Sequence, residues 1–320
     1  MRAIKVKAYG PVEMLQVVEV PTPKPAAGEI LIKIHAAVVG PADIAFRKAE
    51  PFIVRFFAGM FKPKNIPGTE LAGEVVAIGN DVKKFRVGDK VMGASANDSS
   101  AHAEYICLPE NGTISIMPEN SSFAEAVSIC DGPMTALVFL RDKAKITSGQ
   151  KILINGASGS VGSAAIQLAK YYGAFVTAVC SSKNFEVVNT LGADEFVDYT
   201  QTDFTKQNKT YDIVFDVVGN SSFKNCRNIL TETGVYLMTV PQIGVMLQTI
   251  RTRKSSGKKA IFAATGLQQN PENLVFLKQL VERGKLKPVI DRSYKLERIR
   301  EAHRYVEAGH KTGSVVIEMS

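Results

Sequence analysis

The stretch KILINGASGSVG, residues 151–162, decides the fold of this chain. A short apolar run, KILI, stands directly before three glycines at positions 156, 159 and 162, and a segment with helical spacing follows them as far as Gly173. A strand that leads through a glycine-rich turn into a helix is an arrangement that binds phosphate groups. Many structural β–α turns have similar glycines, so the interpretation depends on the rest of the chain.

Apolar runs and amphipathic segments alternate after residue 151. The predicted strands of this region are residues 151–155, 175–180, 195–199, 211–219, 234–240 and 260–266. Continuous apolar strands separated by helices predict a parallel sheet that is covered on both faces. Six strands in this order match a doubly wound dinucleotide-binding fold, in which the glycine turn holds the pyrophosphate.

The first part of the chain is β-rich instead. Short strand-like runs at 29–39, 73–79, 90–93 and 103–109 are separated by Gly, Pro, Asn and Asp. The final run SVVIEM resembles these strands more than those of the parallel sheet, so we expect the chain end to return to the first domain. The predicted domains are residues 1–128, 129–262 and 263–320, the last of which rejoins the first.

Composition indicates a globular protein in a reducing compartment. Of the 320 residues 45% are hydrophobic and 22% are charged, and the formal net charge is +8. The four cysteines lie far apart without a C-x-x-C pair, which argues against a disulfide framework. No apolar leader or membrane span is visible, so we expect a cytoplasmic protein. The basic residues are spread along the chain, so no nucleic-acid partner is expected, and a homodimer is one expected state.

The end of the second predicted strand indicates which dinucleotide is bound. An NAD-preferring fold usually carries Asp or Glu there, to bind the ribose 2′-hydroxyl. Here the sequence is CSSKN, residues 180–184, in which two hydroxyls stand beside a cation and no carboxylate is present. Such a group accepts an added phosphate. The sequence therefore predicts NADPH as the cofactor, and the alternative is an ordinary surface loop.

Several motifs together are specific for one family. They are VVGPAD (38–43), the run from IPGTEL to KVMG (66–93), AHAEYICLPE (101–110), GPMTAL (132–137) and NGASGSVGSAAIQLAK (155–170). With these motifs the chain resembles the zinc-independent, quinone oxidoreductase-like (zeta-crystallin-like) branch of the medium-chain dehydrogenases/reductases. The resemblance implies a GroES-like β-rich catalytic domain, formed by both chain ends, and a Rossmann domain with a doubly wound parallel sheet.

The resemblance also implies roles for individual residues. The pyrophosphate would be held by Ser158, Gly159, Ser160 and Val161, and the adenosine 2′-phosphate region by Ser181, Lys183 and Tyr199. The nicotinamide and its ribose would lie near Thr135, Val218 and Gly219. Asp43 takes the motif position close to the nicotinamide and substrate. Asp43 and Thr135 are thus expected to position the reactants.

Zinc is not expected. Zinc-dependent relatives carry a cysteine near VVGPAD and a Gly-His-Glu sequence where this chain has Gly68-Thr69-Glu70. Without such ligands a catalytic zinc has no first coordination shell. The four histidines, His35, His102, His303 and His310, are dispersed and are interpreted as structural or surface groups.

The expected reaction is hydride transfer from NADPH to a quinone or an α,β-unsaturated carbonyl, which needs little polarisation. No clear proton donor is present, because Phe46 and Phe52 occupy the region where enoyl reductases of the superfamily use a tyrosine. This departure favours a quinone acceptor or protonation by solvent. Phe46, Phe52 and Phe56, with Phe57 and Phe61, either line a hydrophobic substrate mouth or pack an irregular loop.

Two other functions remain open at this stage. A non-catalytic NADPH-binding protein on the same fold would act as a redox sensor or interaction partner, with the Phe-rich loop as its docking surface. Binding of single-stranded nucleic acid through the basic surface would depend steeply on salt, but no stacking-aromatic motif supports it.

Overall fold

The computed structural model describes residues 1–50, 52, 54–63, 66–95, 100–263 and 270–319. The chain divides into two compact units. Unit 1 comprises Met1–Asp131, Gln269–Arg283 and Pro288–Ser320, and unit 2 comprises Gly132–Gln268 and Gly284–Lys287.

These boundaries differ from the predicted ones in one informative way. Residues Gly284–Lys287 lie within the segment 263–320 that was predicted to join the first domain, but they belong to unit 2. The Gln167 side chain explains the difference, because it accepts from the Lys287 backbone N–H at 2.7 Å and donates to the Lys287 carbonyl at 3.0 Å.

Unit 1 is built on a mainly antiparallel sheet. Its strands are β1 (Arg2–Val6), β2 (Leu15–Glu19), β3 (Glu29–Val39), β4 (Glu70–Ile78), β5 (Lys90–Ala94), β6 (Tyr105–Pro109), β7 (Thr113–Ile116), β14 (Ile290–Lys295) and β15 (Ser314–Glu318). Among the described residues the sheet order is β14-β15-β3-β4-β5-β7, with β6 also paired to β3 and with β1 and β2 forming a separate pair. Val315 of β15 lies opposite Val39 of β3, so the chain end returns to the first domain as predicted.

Strand β3 shows why this sequence forms a half-buried sheet. Ile30, Ile32 and Ile34 are buried while Lys33 between them is exposed, which is the two-residue period of a strand with one face in the core. These isoleucines pack in one apolar cluster with residues of β15.

Five α-helices of the described residues belong to unit 1. They are α1 (Pro41–Lys48), α2 (Val54–Ala58), α3 (Phe123–Cys130), α9 (Pro271–Glu282) and α10 (Ile299–Glu307) among the described residues. Helix α1 has proline at its first position, where the missing N–H costs nothing. Within the described part of the chain one helical stretch, Phe123–Ala144, is long and apolar enough to cross a membrane, and 72% of its most apolar window is buried inside the protein.

Unit 2 contains a parallel sheet with helices. The strands are β8 (Lys151–Asn155), β9 (Phe175–Cys180), β10 (Glu195–Asp198), β11 (Tyr211–Asp216), β12 (Leu230–Met238) and β13 (Lys259–Phe262), in the order β10-β9-β8-β11-β12-β13. The helices are α4 (Gly132–Leu137), α5 (Ser160–Tyr171), α6 (Phe185–Thr190), α7 (Phe223–Cys226) and α8 (Ile243–Thr252), and Val138–Ala144 is a π-helical turn. The predicted doubly wound parallel sheet is confirmed, and its order reverses between β8 and β11.

Several strand bounds differ from the predicted ones. Strand β12 begins earlier than predicted, and β13 ends at Phe262, while residues 264–266 of the strand predicted at 260–266 lie outside the described part of the chain. Two other segments also differ from the prediction. The strand predicted at 211–219 ends at Asp216, because that carboxylate accepts the backbone N–H groups of Val218 and Gly219 and turns the chain. The helix α8, Ile243–Thr252, was not predicted from the sequence.

Candidate functional site

The three glycines of residues 151–162 differ in the space that a side chain would have. Gly156 has φ +83°, and a Cβ added there would lie 2.4 Å from Val218 Cγ2. A Cβ at Gly162 would lie 2.2 Å from the Gly156 carbonyl oxygen, so α5 packs on the turn without space for a side chain. At Gly159 the nearest atom would be 3.5 Å away. The outer glycines are therefore required by the fold, while the middle one leaves open space above the turn.

Helix α5 begins at this turn. Gly159 occupies the N-cap position and has no side chain to cover the first N–H groups, which no helix can satisfy from within. The predicted pyrophosphate residues Ser158, Gly159, Ser160 and Val161 all lie on this turn and the first turn of α5. The site can therefore receive an anion at the helix N-terminus.

The turn is tied to the segment that follows β9. Asn184 Nδ2 donates to the hydroxyl oxygen of Ser158 at 2.9 Å, and Ser158 itself is buried. This contact was not predicted from the sequence, in which Asn184 only closed the CSSKN segment. It fixes the predicted pyrophosphate turn relative to the predicted 2′-phosphate residues.

The residues predicted for the 2′-phosphate follow two neighbouring strands. Cys180 at the end of β9 pairs with Asp198 at the end of β10, so Ser181, Lys183 and Tyr199 emerge at the same edge of the sheet. Tyr199 is 49% exposed and Lys183 is also exposed. The structure thus gathers a hydroxyl, a cation and a phenol at one edge.

Asp198 is a carboxylate in this region that the sequence argument missed. Its Oδ1 accepts the hydroxyl of Thr200 at 2.7 Å and the Thr200 backbone N–H at 2.9 Å, and these hydrogen bonds lower the pKa of Asp198. This carboxylate ends β10, the third strand of unit 2 in chain order, whereas an NAD-preferring fold carries a carboxylate at the end of the second. Only the register of β9 and β10 brings it close to Cys180.

Asp216, fully buried at the end of β11, organises the next loop. It accepts hydrogen bonds at 2.9–3.2 Å from five donors, namely Asn155 Nδ2, the Tyr236 hydroxyl and the backbone N–H groups of Val218, Gly219 and Ser221. Burial and the carboxylate of Asp216 raise the pKa of Tyr236. The predicted nicotinamide residues Val218 and Gly219 are therefore held by the side chain of Asp216, which was not predicted. Its signal in the sequence was an acidic residue at the end of an apolar run.

Thr135 lies on α4, which packs against the start of α5. A Cβ added at Gly132 would lie 2.3 Å from Ser160 Oγ, so the two helices meet with only a glycine between them. Thr135 follows three residues later and is half-buried. Unit 2 thus contains all the residues predicted to contact the cofactor except Asp43.

Asp43 belongs to unit 1, where it connects two backbone segments. Its Oδ2 accepts the Gly40 N–H at 2.8 Å, which caps α1, and its carboxylate also accepts the Gly68 N–H. The side chain is 5% exposed, and burial raises its pKa. In the structure, the Asp43 carboxylate links the start of α1 to the turn before β4.

Glu70, at the start of β4, is a titratable group that the sequence argument did not single out. The Thr69 hydroxyl donates to its Oε2 at 2.7 Å. Burial, with the negative charges of Asp131 and Asp43 in addition, raises the pKa of Glu70 to about 8. At neutral pH this carboxyl therefore keeps its proton. The group formed by Asp43, Glu70 and Asp131 then carries less negative charge than three ionised carboxylates would.

The aromatic residues predicted at the substrate mouth are solvent-exposed. Phe46 is 39% exposed, Phe52 60% and Phe56 66%, and Phe61 reaches 92%, while the side chain of Phe57 lies outside the described part of the structure. Rings exposed to this degree do not pack a loop interior, so that alternative is wrong for Phe52, Phe56 and Phe61.

Comparison with known proteins identifies the family. Residues 26–132 match the family model "Alcohol dehydrogenase GroES-like domain", and residues 191–317 match "Zinc-binding dehydrogenase". Quinone-oxidoreductase QR1, chloroplastic, of Triphysaria versicolor is 35% identical over 99% of this chain and 98% of its own length. The chain is a quinone-oxidoreductase-like medium-chain dehydrogenase/reductase.

Two further members of this family extend the comparison. The structure of the quinone oxidoreductase from Coxiella burnetii superposes with a TM-score of 0.90 at 32% identity and covers 100% of this chain and 99% of that one. The 2-methylene-furan-3-one reductase of Solanum lycopersicum is 32% identical over 99% of this chain and 79% of its own length.

One of the matching family models is named for zinc, so the fit of a metal can be tested on this medium-chain reductase. Position 40 is a glycine, the Thr69 hydroxyl donates to Glu70, and Asp43 accepts backbone N–H groups. Within the described ranges, no group of three or more His, Cys, Asp or Glu side chains is placed to hold a metal ion. These residues do not fit a zinc centre.

The four histidines have other surroundings. His102 lies against Gly68, which has φ +90° and would place a Cβ 2.5 Å from the His102 ring, and its Nε2 is 2.9 Å from the Val38 carbonyl. His303 is buried beside it, and neither of its ring nitrogens has a partner among the residues that the structure describes. His35 stacks on Phe123, and His310 is exposed.

Proposed function

We propose that this protein is an NADPH-dependent oxidoreductase that transfers a hydride to a quinone or an α,β-unsaturated carbonyl without zinc. The observation that carries the proposal is the glycine turn of unit 2. A side chain has no space at Gly156, which lies against the Val217 and Val218 side chains, or at Gly162, which lies against backbone atoms, while Gly159 leaves space at an uncapped helix N-terminus. This turn lies in a chain that is related over its whole length to a quinone oxidoreductase and to a 2-methylene-furan-3-one reductase.

The preference for NADPH is supported by charge. Lys183 and the hydroxyl of Ser181 follow β9 directly, and Asp198, a carboxylate at the same edge of the sheet, accepts two hydrogen bonds from Thr200. A cation with adjacent hydroxyls binds a 2′-phosphate by charge-assisted hydrogen bonds. An unphosphorylated ribose gains less from the same group.

The chain's own residues bind and orient the reactants. When bound, the nicotinamide cofactor supplies the hydride. The first N–H groups of α5 would hold the pyrophosphate. Asp216, which accepts the N–H groups of Val218 and Gly219, would fix the loop that contacts the nicotinamide end of the cofactor. Phe46 and Phe52 carry no exchangeable proton, so reduction of an enone would take its proton from solvent.

The zinc-independent reading follows from the residue types at the ligand positions. Gly40 supplies no ligand atom and Thr69 is used by Glu70. Alcohol oxidation leans on a Lewis acid, whereas quinones and enones accept a hydride with little polarisation. Quinones and enones are therefore the acceptors that a site without zinc ligands can reduce.

The decisive experiment is an acceptor screen with NADPH and NADH side by side. We expect steady oxidation of NADPH with 9,10-phenanthrenequinone or a simple enone, slower oxidation of NADH, and rates unchanged by a zinc chelator. Binding of NADPH without turnover across the panel would instead support a redox sensor or interaction protein.

Compartment and assembly remain predictions. The four cysteines, all within the described residues, are free thiols, which supports a reducing compartment such as the cytoplasm. Light scattering on the purified protein tests whether it is a homodimer.

A further inference from the structure

A short surface segment concentrates exposed apolar side chains. Helix α2 and its flanks present Phe52 at 60%, Phe56 at 66%, Met60 at 37% and Phe61 at 92% exposure. Single exposed apolar residues are ordinary, but four large ones within ten positions mark an interaction surface. We call these four residues the aromatic surface.

The aromatic surface is attached to unit 1 by specific contacts. The guanidinium of Arg55 lies over the Tyr9 ring at 5.0 Å and over the Phe52 ring at 5.2 Å. Phe52 meets Phe56 edge to face at 6.3 Å, and the Tyr9 hydroxyl donates to the Gly59 carbonyl at 2.5 Å. These contacts tie Phe52 to Arg55 and Phe56 to Phe52, while both rings remain more than half exposed.

The charges of this segment are of one sign. Residues 51–65 contain Arg55, Lys62 and Lys64 and no Asp or Glu, and Lys62 is exposed next to Phe61. The preceding acid, Glu50, is engaged by Lys48 at 3.0 Å. The chain as a whole carries a formal charge of +8, which favours approach to an anionic partner.

We propose that the aromatic surface docks this protein on an anionic lipid bilayer. Aromatic rings that project beyond a basic segment match the bilayer interface, where the rings enter the headgroup region and lysines meet anionic headgroups. A substrate pocket is concave and covers its lining rings, whereas the Phe61 ring is 92% exposed. This inference does not depend on the proposed reaction.

Vesicle sedimentation tests the surface directly. The probes are vesicles of phosphatidylcholine alone and of phosphatidylcholine with about 30% phosphatidylglycerol. The test variant is Phe52→Ser/Phe56→Ser/Phe61→Ser, and its matched control is Val87→Ser/Phe175→Ser/Val275→Ser, which removes three other exposed apolar side chains. Lys62→Glu is compared with Lys151→Glu, at an exposed lysine on β8. Thermal melts show that each variant is folded.

We expect the wild type to bind the anionic vesicles and the triple Phe variant to lose at least about tenfold in partition coefficient. Lys62→Glu should weaken binding, while both controls bind as the wild type. Equal binding by the triple Phe variant and its control would overturn the proposal, because general basicity would then explain adsorption. The proposal would also be overturned if the wild type did not bind anionic vesicles. It would equally be overturned if the triple Phe variant bound vesicles normally but had a higher KM for a lipophilic quinone, or no longer formed a dimer that the wild type forms.

Discussion

The Tyr236 hydroxyl donates a hydrogen bond of 2.9 Å to Oδ2 of Asp216, and both side chains are completely buried in unit 2. The second oxygen, Oδ1, accepts the Gly219 backbone N–H at 2.9 Å. One carboxylate therefore joins the core of the sheet to the loop that we assign to the nicotinamide end of the cofactor.

Replacing Asp216 with Asn should weaken both the fold and cofactor binding. The amide NH₂ would face donors that now meet an oxygen, which costs about 1–3 kcal/mol in the free energy of unfolding. The displaced loop should also raise the Kd for NADPH, measured by quenching of its fluorescence.

Asp212→Asn is the matched control for this variant. Asp212 lies on the same strand, β11, but toward its opposite end, where it accepts the Lys151 N–H at 2.8 Å. Its replacement should leave the Kd for NADPH unchanged. A wild-type Kd in Asp216→Asn would show that the loop does not bind the cofactor.

The glycine turn gives a second prediction through a matched pair. Gly162→Ala places a Cβ 2.2 Å from the Gly156 carbonyl oxygen, so it should destabilise the protein by about 1–3 kcal/mol. Gly159→Ala meets nothing closer than 3.5 Å and should melt as the wild type. Because its methyl group occupies the space assigned to the pyrophosphate, it should still raise the Kd for NADPH about tenfold. Normal binding by Gly159→Ala would place the pyrophosphate elsewhere.

Cofactor preference can be tested at Lys183. Lys183→Ala should reduce kcat/KM for NADPH about tenfold while changing that for NADH little, because only the phosphorylated ribose uses the charge. Lys151→Ala, at the start of β8, is expected to change neither value. An unaltered NADPH-to-NADH ratio in Lys183→Ala would make the 2′-phosphate assignment wrong.

Glu70 predicts how stability depends on pH. In the folded protein its pKa is raised to about 8 from an ordinary value of 4.5, so between these values the folded state holds a proton that the unfolded chain has lost. This contribution to stability is complete below pH 4.5 and is lost as the pH rises toward 8, by up to about 1.4 kcal/mol per pH unit.

Glu70→Gln keeps a neutral side chain at every pH and should remove this contribution. In thermal melts from pH 6 to pH 9, the Tm of the variant relative to the wild type should therefore rise with pH. A constant difference in Tm across this range would mean that Glu70 is ionised in the folded protein at neutral pH.

Local patterns predicted the strands of unit 1 and the parallel sheet of unit 2, whereas the GroES-like domain was implied by the family resemblance. The strand predicted at 29–39 coincides with β3, since its alternating isoleucines read directly as one buried face. The parallel sheet of unit 2 was also predictable, because each strand is a continuous apolar run bounded by turn residues. Strand ends were less predictable, as β11 shows, because a buried carboxylate decides where that strand stops.

Site residues could be proposed together only where one motif contains them. Residues 158–161, which lie on a single turn in the structure, were predicted as one group. Asp198 comes close to Cys180 only through the pairing of two strands. The raised pKa of Glu70 comes first from burial and then from the negative charge of Asp131, which is distant in sequence. Such proximities depend on the register and packing of the fold and are not contained in any local pattern.

The most direct measurement is the fate of the transferred hydride. NADPH deuterated at the transferring face of nicotinamide C4 would be incubated with the enzyme and a simple enone in ordinary water, and the product analysed by mass spectrometry and NMR. We expect one deuterium at the β-carbon and a solvent proton at the α-carbon. Unlabelled product, or no product while the labelled cofactor remains bound and intact, would contradict the assignment of this protein as a reductase.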